Sequence, residues 1–337
     1  MKIEVRSAGF LTSVQDLGRI GHRHSGISTG GALDSFALRV ANVLAGNEES
    51  AAGLEATLGK LRLRFDDQRI VAWCGGAFEV SIGGQTLPPG HAGLVAKDEE
   101  LVMVAPKAGS RAWLAISGGV DVPLVLGSRS TDLRGNFGGH EGRTLRGGDE
   151  LPLGTTESLK ERRFETAVST GRPLQTAAPW VSDWSAPASW AGTVPRDRVL
   201  RFVRGPEWVR FTEEAQTTLA GAPFAVTTDS DRMAARLDGP TLPLHDPSDL
   251  LSEAVTPGTL QVPAGGKPIL LLGDCQTIGG YPKIAHVITV DLPIAAQLWS
   301  GDLVRFHEIS LAEAQELLRE REGDFARFRV GLSLHRP

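Results

Sequence analysis

The chain has 337 residues, 40 of them glycine, and a formal net charge of −5 at pH 7. This length suits one large or two ordinary domains, and the mild negative charge argues against nucleic acid or an anionic membrane as a partner. Glycine exceeds its usual share of about 7% and follows no fixed period. That distribution indicates many tight turns and therefore a β-rich protein.

The two cysteines, Cys74 and Cys275, each lie beside an apolar strand-like run. Such a pattern is typical of buried thiols in a reducing compartment and not of a disulfide framework. The N-terminal residues lack the apolar core of a signal peptide, and no apolar run approaches the ~18 residues of a membrane span. We therefore expect a cytoplasmic protein that contacts neither nucleic acid nor membrane.

The first predicted elements are a strand and a helix separated by a glycine-rich loop. Residues 2–6 alternate between polar and apolar side chains, which predicts a strand. Asp34 is a suitable N-cap for a helix, and Gly46 supplies its C-terminal stop. The apolar residues between them have helical spacing on one face: Phe36, Ala37, Val40, Ala41 and Leu44. Arg39 and Asn42 lie off that face and could contact a ligand or partner.

Short β-like runs follow from residue 56 to residue 152. Gly83-Gly84 between two of these runs is a strong hairpin signal. Regular short strands with turn residues between them favour a barrel or a sandwich over a parallel α/β sheet. The runs that carry this prediction are residues 61–65, 70–73, 78–82, 85–87, 100–104 and 111–116.

Residues 155–197 change character, with Thr, Ser, Ala, Pro and three tryptophans and little periodicity. We interpret them as an inter-domain connection that wraps over the protein. From residue 199 the β-like runs resume, with a helix predicted at residues 207–220. Ser310 and Glu313 form a capping box that opens a last helix to about Glu322. The predicted organisation is an N-terminal half (1–154), the connection (155–197), a C-terminal half (198–309) and a C-terminal helix with a tail (310–337).

A dense polar loop at residues 273–283 lies between two predicted strands, residues 269–272 and 284–290. It holds a carboxylate, an amide, a hydroxyl, a phenol, an ammonium and paired glycines. A rigid scaffold that presents such a loop is the usual form of a functional site. The simpler interpretation is a polar hairpin with Gly279-Gly280 at its turn. A second polar, glycine-rich segment occupies residues 117–143.

The common catalytic motifs are absent or incomplete. The sequence has neither G-x-G-x-x-G nor the phosphate-binding G-x-x-x-x-G-K-[ST], so an ATP site would be irregular or on another chain. Residues 26–30 (GISTG) match a hydrolase nucleophile elbow but lack the apolar strand that should precede it. His22 and His24 have no third ligand at zinc spacing, so we predict no metal. Neither cysteine has a neighbouring base in the sequence.

What remains is a set of charge-stabilising residues on loops. Arginines could bind carboxylate or phosphate with two hydrogen bonds, aspartates could orient them or act as bases, and paired glycines could offer backbone N–H groups to an oxyanion. The alternative is that these charges form ion pairs that tie loops to a barrel. The residues concerned are Arg19, Arg129, Arg134, Arg143, Asp16, Asp34, Asp132 and Asp274, with the glycine pairs 30–31, 138–139 and 279–280.

Six segments in colinear order resemble the biotin-dependent carboxyltransferase family. Its free-standing bacterial members are the C subunits of 5-oxoprolinase, the KipA-like proteins formerly labelled allophanate hydrolase subunit 2. The matching segments are residues 13–19 (SVQDLGR), 30–34 (GGALD), 41–47 (ANVLAGN), 117–123 (SGGVDVP), 126–131 (LGSRST) and 276–283 (QTIGGYPK). Residues 232–237 (RMAARL) depart from the family, which usually has glycine and an aromatic residue after the methionine. Because of that departure, a substrate different from that of the family stays possible for this chain.

The resemblance implies two tandem cyclophilin-like β-barrel domains in a mainly β chain with a few helices. It also implies two kinds of partner, a KipI-like B subunit and a LamB/YcsF-type A subunit. Such complexes use ATP to open the lactam of 5-oxo-L-proline to L-glutamate, so the chain would be one component of an ATP-dependent amide hydrolase. An amide is a poor electrophile, and phosphorylation of its oxygen makes attack by water feasible.

Two other functions stay open. One is a carboxyltransferase similar to that of urea carboxylase. Its biotin would have to be carried on another protein, because this chain has no Met-Lys-Met carrier site. The other is a non-enzymatic KipA-type regulator that binds a KipI-like partner. Both enzymatic functions stabilise an oxyanion, so the residue types do not separate them.

We predict that segments 14–34, 127–143 and 273–283 line one cleft. The residues predicted to be catalytic are Asp16, Arg129, Asp274 and Lys283. The residues predicted to contact the ligand are Gln15, Arg19, Gly30, Gly31, Asp34, Asn42, Arg134, Gly138, Gly139, Gln276, Thr277, Gly279, Gly280 and Tyr281.

Overall fold

The computed structural model describes residues 1–106, 108–156, 181–192, 194–195, 197–246 and 250–335. The chain divides into two compact units. Unit 1 comprises residues 1–17, 35–193 and 322–337, and unit 2 comprises residues 18–34 and 194–321. Residues 157–180, which form most of the predicted connection and include Trp180, lie outside the described residues. The predicted domain boundaries stay a prediction.

Unit 1 contains two six-stranded antiparallel sheets, with strand orders β11-β1-β4-β9-β6-β7 and β12-β8-β5-β10-β3-β2. In β4 the buried residues Leu61, Leu63 and Phe65 alternate with polar ones, as the sequence predicts. The hairpin predicted at Gly83-Gly84 joins β6 to β7. The strands are β1 (Lys2–Ala8), β2 (Leu11–Gln15), β3 (Gly53–Thr57), β4 (Lys60–Phe65), β5 (Arg69–Gly75), β6 (Glu79–Ile82), β7 (Gln85–Thr86), β8 (His91–Val95), β9 (Glu100–Val104), β10 (Arg111–Ile116), β11 (Glu150–Pro152) and β12 (Val181–Ser185).

Two helices belong entirely to unit 1, α1 (Ser35–Ala45) and α2 (Ala188–Ala191). The apolar face predicted for α1 is buried, and the helix packs against β5 and β10. Gly46 has φ 85° and donates its N–H to Val43 O at 3.1 Å. A left-handed glycine directly after the last turn is the usual helix stop, so the predicted end of this helix is confirmed.

The last helix, α5 (Leu311–His335), is longer than predicted. Ser310 Oγ accepts the N–H of Glu313 at 3.1 Å, which confirms Ser310 as the N-cap residue of the predicted capping box. The predicted end at about Glu322 is wrong, because Phe325 and Phe328 beyond it are buried. Burial of each ring stabilises the helix by about 1.5–3 kcal/mol, which outweighs the ~1 kcal/mol cost of Gly323 in its interior. Within the described residues, neither this helix nor another is long and apolar enough to cross a bilayer.

Unit 2 contains a closed seven-stranded barrel of order β13-β20-β17-β18-β15-β14-β21. Strands β13 and β21 close it as a parallel pair. The prediction of a mainly β chain with a few helices and a barrel is therefore confirmed. The remaining strands of the chain are β13 (Arg198–Arg204), β14 (Phe224–Val226), β15 (Ala234–Asp238), β16 (Glu253–Ala254), β17 (Thr259–Gln261), β18 (Ile269–Leu271), β19 (Ile278–Gly279), β20 (Lys283–Val287) and β21 (Leu303–Glu308).

The helix predicted at residues 207–220 is split in two. A 3-10 turn spans Trp208–Arg210, and α3 spans Glu213–Gly221. The break comes at Phe211, which forms a β-bridge with Leu244, and Thr212 then caps α3 by accepting the N–H of Ala215. A last short helix of unit 2, α4 (Leu292–Ala296), follows a 3-10 turn at Thr289–Asp291. The strand predicted at residues 284–290 therefore ends earlier, at Val287.

The polar loop at residues 273–283 is not a hairpin. Its flanking strands β18 and β20 are not neighbours, because β17 lies between them and pairs with both. Within the loop, β19 pairs instead with β16. The loop therefore crosses the end of β17 and is held by a separate segment of unit 2.

Candidate functional site

The centre of the site in unit 2 is an ion pair between Arg232 and Asp274. Arg232 Nε lies 2.8 Å from Asp274 Oδ2, and Arg232 Nη2 lies 3.2 Å from Oδ1. The same Nη2 donates to the carbonyl of Gly31 at 2.7 Å. Both side chains are largely buried, with 6% and 13% exposed. Arg232, just before β15, thus ties the start of the polar loop to the segment at residues 18–34.

Two consecutive glycines face this ion pair. Gly30 and Gly31 have φ values of 60° and 86°, a left-handed conformation that side chains other than glycine rarely adopt. A Cβ on Gly30 would lie 3.6 Å from Asp274 Oδ1 and 3.7 Å from Arg19 Nη1. The structure therefore brings together four residues that the sequence predicted for one site, Arg19, Gly30, Gly31 and Asp274. We call Gly30-Gly31 the paired-glycine turn.

Arg23 ties the same segment to the polar loop from another side. Its Nη2 donates to the carbonyls of Val255 and Gln276. The adjacent thiol of Cys275 is buried, and burial raises its pKa to about 11 although Arg23 acts in the opposite direction. Cys275 packs in an apolar cluster with Ala234, Val255 and Leu271. The thiol is protonated at neutral pH, which agrees with its interpretation as a buried structural cysteine.

Lys283, predicted to be catalytic, lies between two glutamates. Its Nζ is 2.7 Å from Glu253 Oε2 and 3.4 Å from Glu207 Oε1, and its backbone N–H donates to Glu207 Oε2 at 2.8 Å. Burial acts to lower the pKa of Lys283, but the hydrogen bond to Glu253 and the charges of both glutamates outweigh it, so the pKa is raised. The group is therefore a paired ammonium, suited to holding charge and not to acting as a base.

The rest of the polar loop is supported by Gln261 of β17. Gln261 Oε1 accepts from Gln276 Nε2, and Gln261 Nε2 donates to the carbonyl of Tyr281, both at 3.4 Å. Thr277 is buried, and its carbonyl accepts the N–H of Val255. The other predicted contacts, Gly279, Gly280 and the half-exposed Tyr281, lie at or beyond β19.

Apart from Asp34, the other predicted residues belong to unit 1, where Asp16 organises a second cluster. Asp16 Oδ1 accepts the hydroxyls of Ser128 and Ser130 at 2.6 and 2.5 Å. Its Oδ2 accepts the N–H of Arg129 at 2.6 Å. The carboxylate is buried, with 7% exposed. In this structure Asp16 therefore fixes the loop at residues 128–130 to the end of β2.

The arginines of unit 1 lie near carboxylates. Arg129 Nη2 contacts Asp121 Oδ1 at 2.7 Å, and the backbone N–H of Arg134 donates to Asp132 Oδ1 at 3.1 Å. Arg143 contacts Glu141 and Asp149, each at 2.7 Å. The hydrogen bond to Asp149 is the main cause of the raised pKa of Arg143. The contacts of Arg129 and Arg143 are ion pairs of the kind expected if these charges tie loops to the sheets.

The remaining predicted residues of unit 1 are a glycine pair and two side chains of the interior. Gly138 and Gly139 are left-handed, and a Cβ on Gly139 would come within 1.9 Å of Thr131 Oγ1. Gln15 and Asn42 are fully buried. Gln15 Nε2 donates to the Thr131 carbonyl at 3.3 Å, and Asn42 Nδ2 donates to the Ala51 carbonyl at 2.7 Å. Asp34, a buried residue of unit 2, directly precedes α1.

The donor set of unit 2 suits an anionic ligand. Two largely buried guanidinium groups, Arg19 and Arg232, lie beside the paired-glycine turn. Guanidinium groups and backbone N–H groups of left-handed residues are the usual donors to carboxylate and phosphoryl oxygens. Among the described residues, the structure contains no group of three His, Cys, Asp or Glu side chains placed to hold a metal ion.

Sequence reasoning missed four residues of unit 2: Arg232, Glu207, Glu253 and Gln261. Arg232 stands in the segment singled out for its departure from the family pattern, but nothing local links it to Asp274, 42 residues later. Glu207 and Lys283 are 76 residues apart. Ion pairs of this kind depend on barrel topology, which local patterns do not encode.

Comparisons with known proteins agree with this architecture. Residues 25–308 match the model of the carboxyltransferase domain, subdomain A and B. The 5-oxoprolinase C subunit of Escherichia coli is 36% identical over 323 residues, covering 96% of each chain. That of Haemophilus influenzae is 35% identical over 320 residues, covering 95% of each chain.

A solved structure of a larger protein is also similar. The crystal structure of the Kluyveromyces lactis urea carboxylase superposes on 97% of this chain with a TM-score of 0.84 at 29% identity. This chain spans only 29% of that chain. The resemblance inferred from the six sequence segments is therefore confirmed, and the chain belongs to the carboxyltransferase-domain family that includes the 5-oxoprolinase C subunits.

Proposed function

We propose that this chain is the C subunit of an ATP-dependent 5-oxoprolinase complex that hydrolyses the lactam of 5-oxo-L-proline to L-glutamate. The observation that carries the proposal is the match to the E. coli 5-oxoprolinase C subunit over 96% of both chains. The name of that relative implies further subunits. As partners we propose a KipI-like B subunit and a LamB/YcsF-type A subunit.

The chemistry of this reaction fits the donor set of unit 2. ATP would supply the phosphoryl group that activates the lactam oxygen. Arg19 and the backbone N–H groups of the paired-glycine turn would stabilise the negative charge of the phosphoryl group on that oxygen, because fixed donors in a site shielded from water stabilise charge more than water does. Asp274 pairs with Arg232 and faces the paired-glycine turn, and it would orient the attacking water and accept its proton.

The test is reconstitution. The chain, the two proposed partners and ATP are mixed with 5-oxo-L-proline, and L-glutamate is measured for the full set and for each set that lacks one protein. We expect glutamate only from the full set. Stable binding to the KipI-like protein without glutamate would refute the hydrolase function and favour the regulator.

A second function, transfer of a carboxyl group from biotin carried on another protein, is favoured by the TM-score of 0.84 to the K. lactis urea carboxylase. The same preparations, with ATP, are therefore given a biotinylated carrier, a biotin carboxylase that loads it from bicarbonate, and urea. Biotin-dependent carboxylation of urea without glutamate formation would overturn the 5-oxoprolinase proposal and establish this function instead.

A further inference from the structure

We propose that Arg232 is the positioning residue of the unit 2 site, which locks the Asp274 carboxylate against the paired-glycine turn. The reaction that it would serve is the one proposed above, and this inference rests on that proposal. Arg232 is not a catalytic residue in this scheme, because the groups near the substrate are Asp274, Arg19 and the turn. Its function is to fix their relative geometry.

The first argument is the number of groups that one guanidinium holds. Arg232 donates to both oxygens of Asp274 and to the carbonyl of Gly31, at 2.8, 3.2 and 2.7 Å. The backbone N–H of Asp274 donates in return to the Arg232 carbonyl at 3.1 Å. Because the guanidinium is planar and rigid, two donors on one carboxylate fix its rotation. The third contact fixes its distance from the turn.

The second argument is electrostatic. With 6% of its side chain exposed, Arg232 is poorly screened by solvent, and an opposite charge within hydrogen-bond distance favours the ionised form of a carboxylate. Arg232 thus compensates the charge of the Asp274 carboxylate and holds it in one orientation before a substrate arrives. Without Arg232 the carboxylate would lose this opposite charge and be able to rotate.

A matched ion pair in the same barrel separates positioning from simple stabilisation. Arg201 Nε and Nη2 contact both oxygens of Asp291 at 3.0 and 2.6 Å, and Asp291 is buried. This pair joins β13 to the 3-10 turn Thr289–Asp291 and includes none of the predicted site residues. Loss of the Arg201–Asp291 pair should therefore lower the stability of the fold without changing the activity.

The experiment compares Arg232→Gln, Arg232→Lys and Arg201→Gln in the reconstituted three-protein complex. For Arg232→Gln we expect kcat to fall by roughly 100-fold, because misplaced catalytic groups lose about that factor, while KM changes little. The acidic limb of the pH–rate profile should move up by about 1–2 pH units. Arg232→Lys should restore the position of the acidic limb, because lysine keeps the positive charge. It should restore only part of kcat, because lysine cannot donate two hydrogen bonds in the fixed geometry of a guanidinium group.

Arg201→Gln should lower the unfolding temperature and leave kcat and the pH limb unchanged. Guanidine added to Arg232→Ala should recover activity in proportion to its concentration. The inference is overturned if Arg232→Gln loses activity only in proportion to its unfolded fraction, with the pH limb unmoved.

A measurement without turnover keeps this inference separate from the proposed function. The Asp274 carboxyl, assigned with Asp274→Asn, is titrated by carbon NMR in the chain alone, and the amide signals of Gly30 and Gly31 are recorded beside it. We expect Arg232→Gln to raise the Asp274 titration midpoint and to shift both glycine signals, whereas Arg201→Gln does neither. If the wild-type complex makes no glutamate, the proposed function fails, and the titration alone decides on Arg232: an unchanged midpoint refutes it.

Discussion

The ammonium of Lys283 lies between a buried glutamate, Glu207, and the exposed Glu253. Lys283→Met would leave the Glu207 charge without its cation in a poorly hydrated site. Removing one partner of a buried ion pair lowers the free energy of unfolding by about 3–5 kcal/mol. Because Glu253 is 62% exposed and contributes little, we expect Lys283→Met to lower it by about 3 kcal/mol, near the lower limit. Urea unfolding of the purified chain at pH 7 measures it.

The matched control is Lys267→Met, because Lys267 pairs with Asp238 at 2.8 Å with both side chains about half exposed or more. Exposed pairs contribute about 0–1 kcal/mol, so this variant should unfold almost as the wild type does. Adding Glu207→Gln to Lys283→Met should recover part of the loss. Equal losses in the two lysine variants would contradict the assignment of a buried ion pair.

Asp149 gives the chain a predictable response to acid. The hydrogen bond from Arg143 holds the pKa of Asp149 at about 2, below its ordinary value of 3.8, despite some opposing desolvation. A folded pKa below the unfolded one stabilises the fold above the unfolded value, and this stabilisation is lost as pH falls through the folded value. At pH 7 it amounts to about 2 kcal/mol.

We therefore expect Asp149→Asn to lower the free energy of unfolding by about 2 kcal/mol at pH 7. The difference from wild type should shrink as pH falls from 4 to 2. Asp98→Asn is the control, because Asp98 forms an exposed pair with Arg64 and should cost under about 1 kcal/mol. Urea unfolding across this pH range tests both variants, and a difference independent of pH would be the contrary result.

At the scale of elements, the second half of α5 depends on its aromatic contacts. The ring of Phe325 lies 5.5 Å from that of Phe36 and 6.2 Å from that of Trp190, and the guanidinium of Arg39 lies 4.6 Å from its centre. Phe325→Ala should destabilise unit 1 by about 3 kcal/mol, as for other buried phenylalanines. Val330→Ala on the exposed face should change stability by less than about 0.5 kcal/mol.

Thermal unfolding and hydrogen exchange of residues 322–335 measure this difference. The exchange of these amides should rise in Phe325→Ala and stay as in wild type in Val330→Ala. If both variants exchange alike, the aromatic contacts are not what extends the helix beyond Glu322.

Elements with a strong local signal could be predicted, and those that depend on distant contacts could not. Helix α1 was predictable because its apolar face and its terminal glycine are both local. The end of α5 was missed because Phe325 and Phe328 are stabilised by Trp184 and Trp190, which are more than a hundred residues away. The split at Phe211 was missed because its partner is Leu244.

At the scale of the whole molecule, residue types could be read from the sequence more reliably than their partners. Arg19, Gly30, Gly31 and Asp274 come together in unit 2, as the glycine-rich loops indicated. Asp16 and Asp274 were both predicted to be catalytic. In the structure Asp16 holds the loop at residues 128–130, and Asp274 faces the paired-glycine turn. That the three polar segments line one cleft stays a prediction.

Unit 2 is built from two stretches that lie far apart in the sequence, and this has a consequence for its folding during biosynthesis. Its segment at residues 18–34 is made early, but the groups that hold it come much later: Arg232 binds Gly31 across 201 residues, and Arg23 binds Val255 across 232. Contacts of such high sequence separation form slowly. During translation, residues 18–34 must therefore remain without these partners until most of the chain has left the ribosome. The site around Arg232 can therefore assemble only after residue 274 has been synthesised, and a nascent chain stalled before Asp274 cannot contain it.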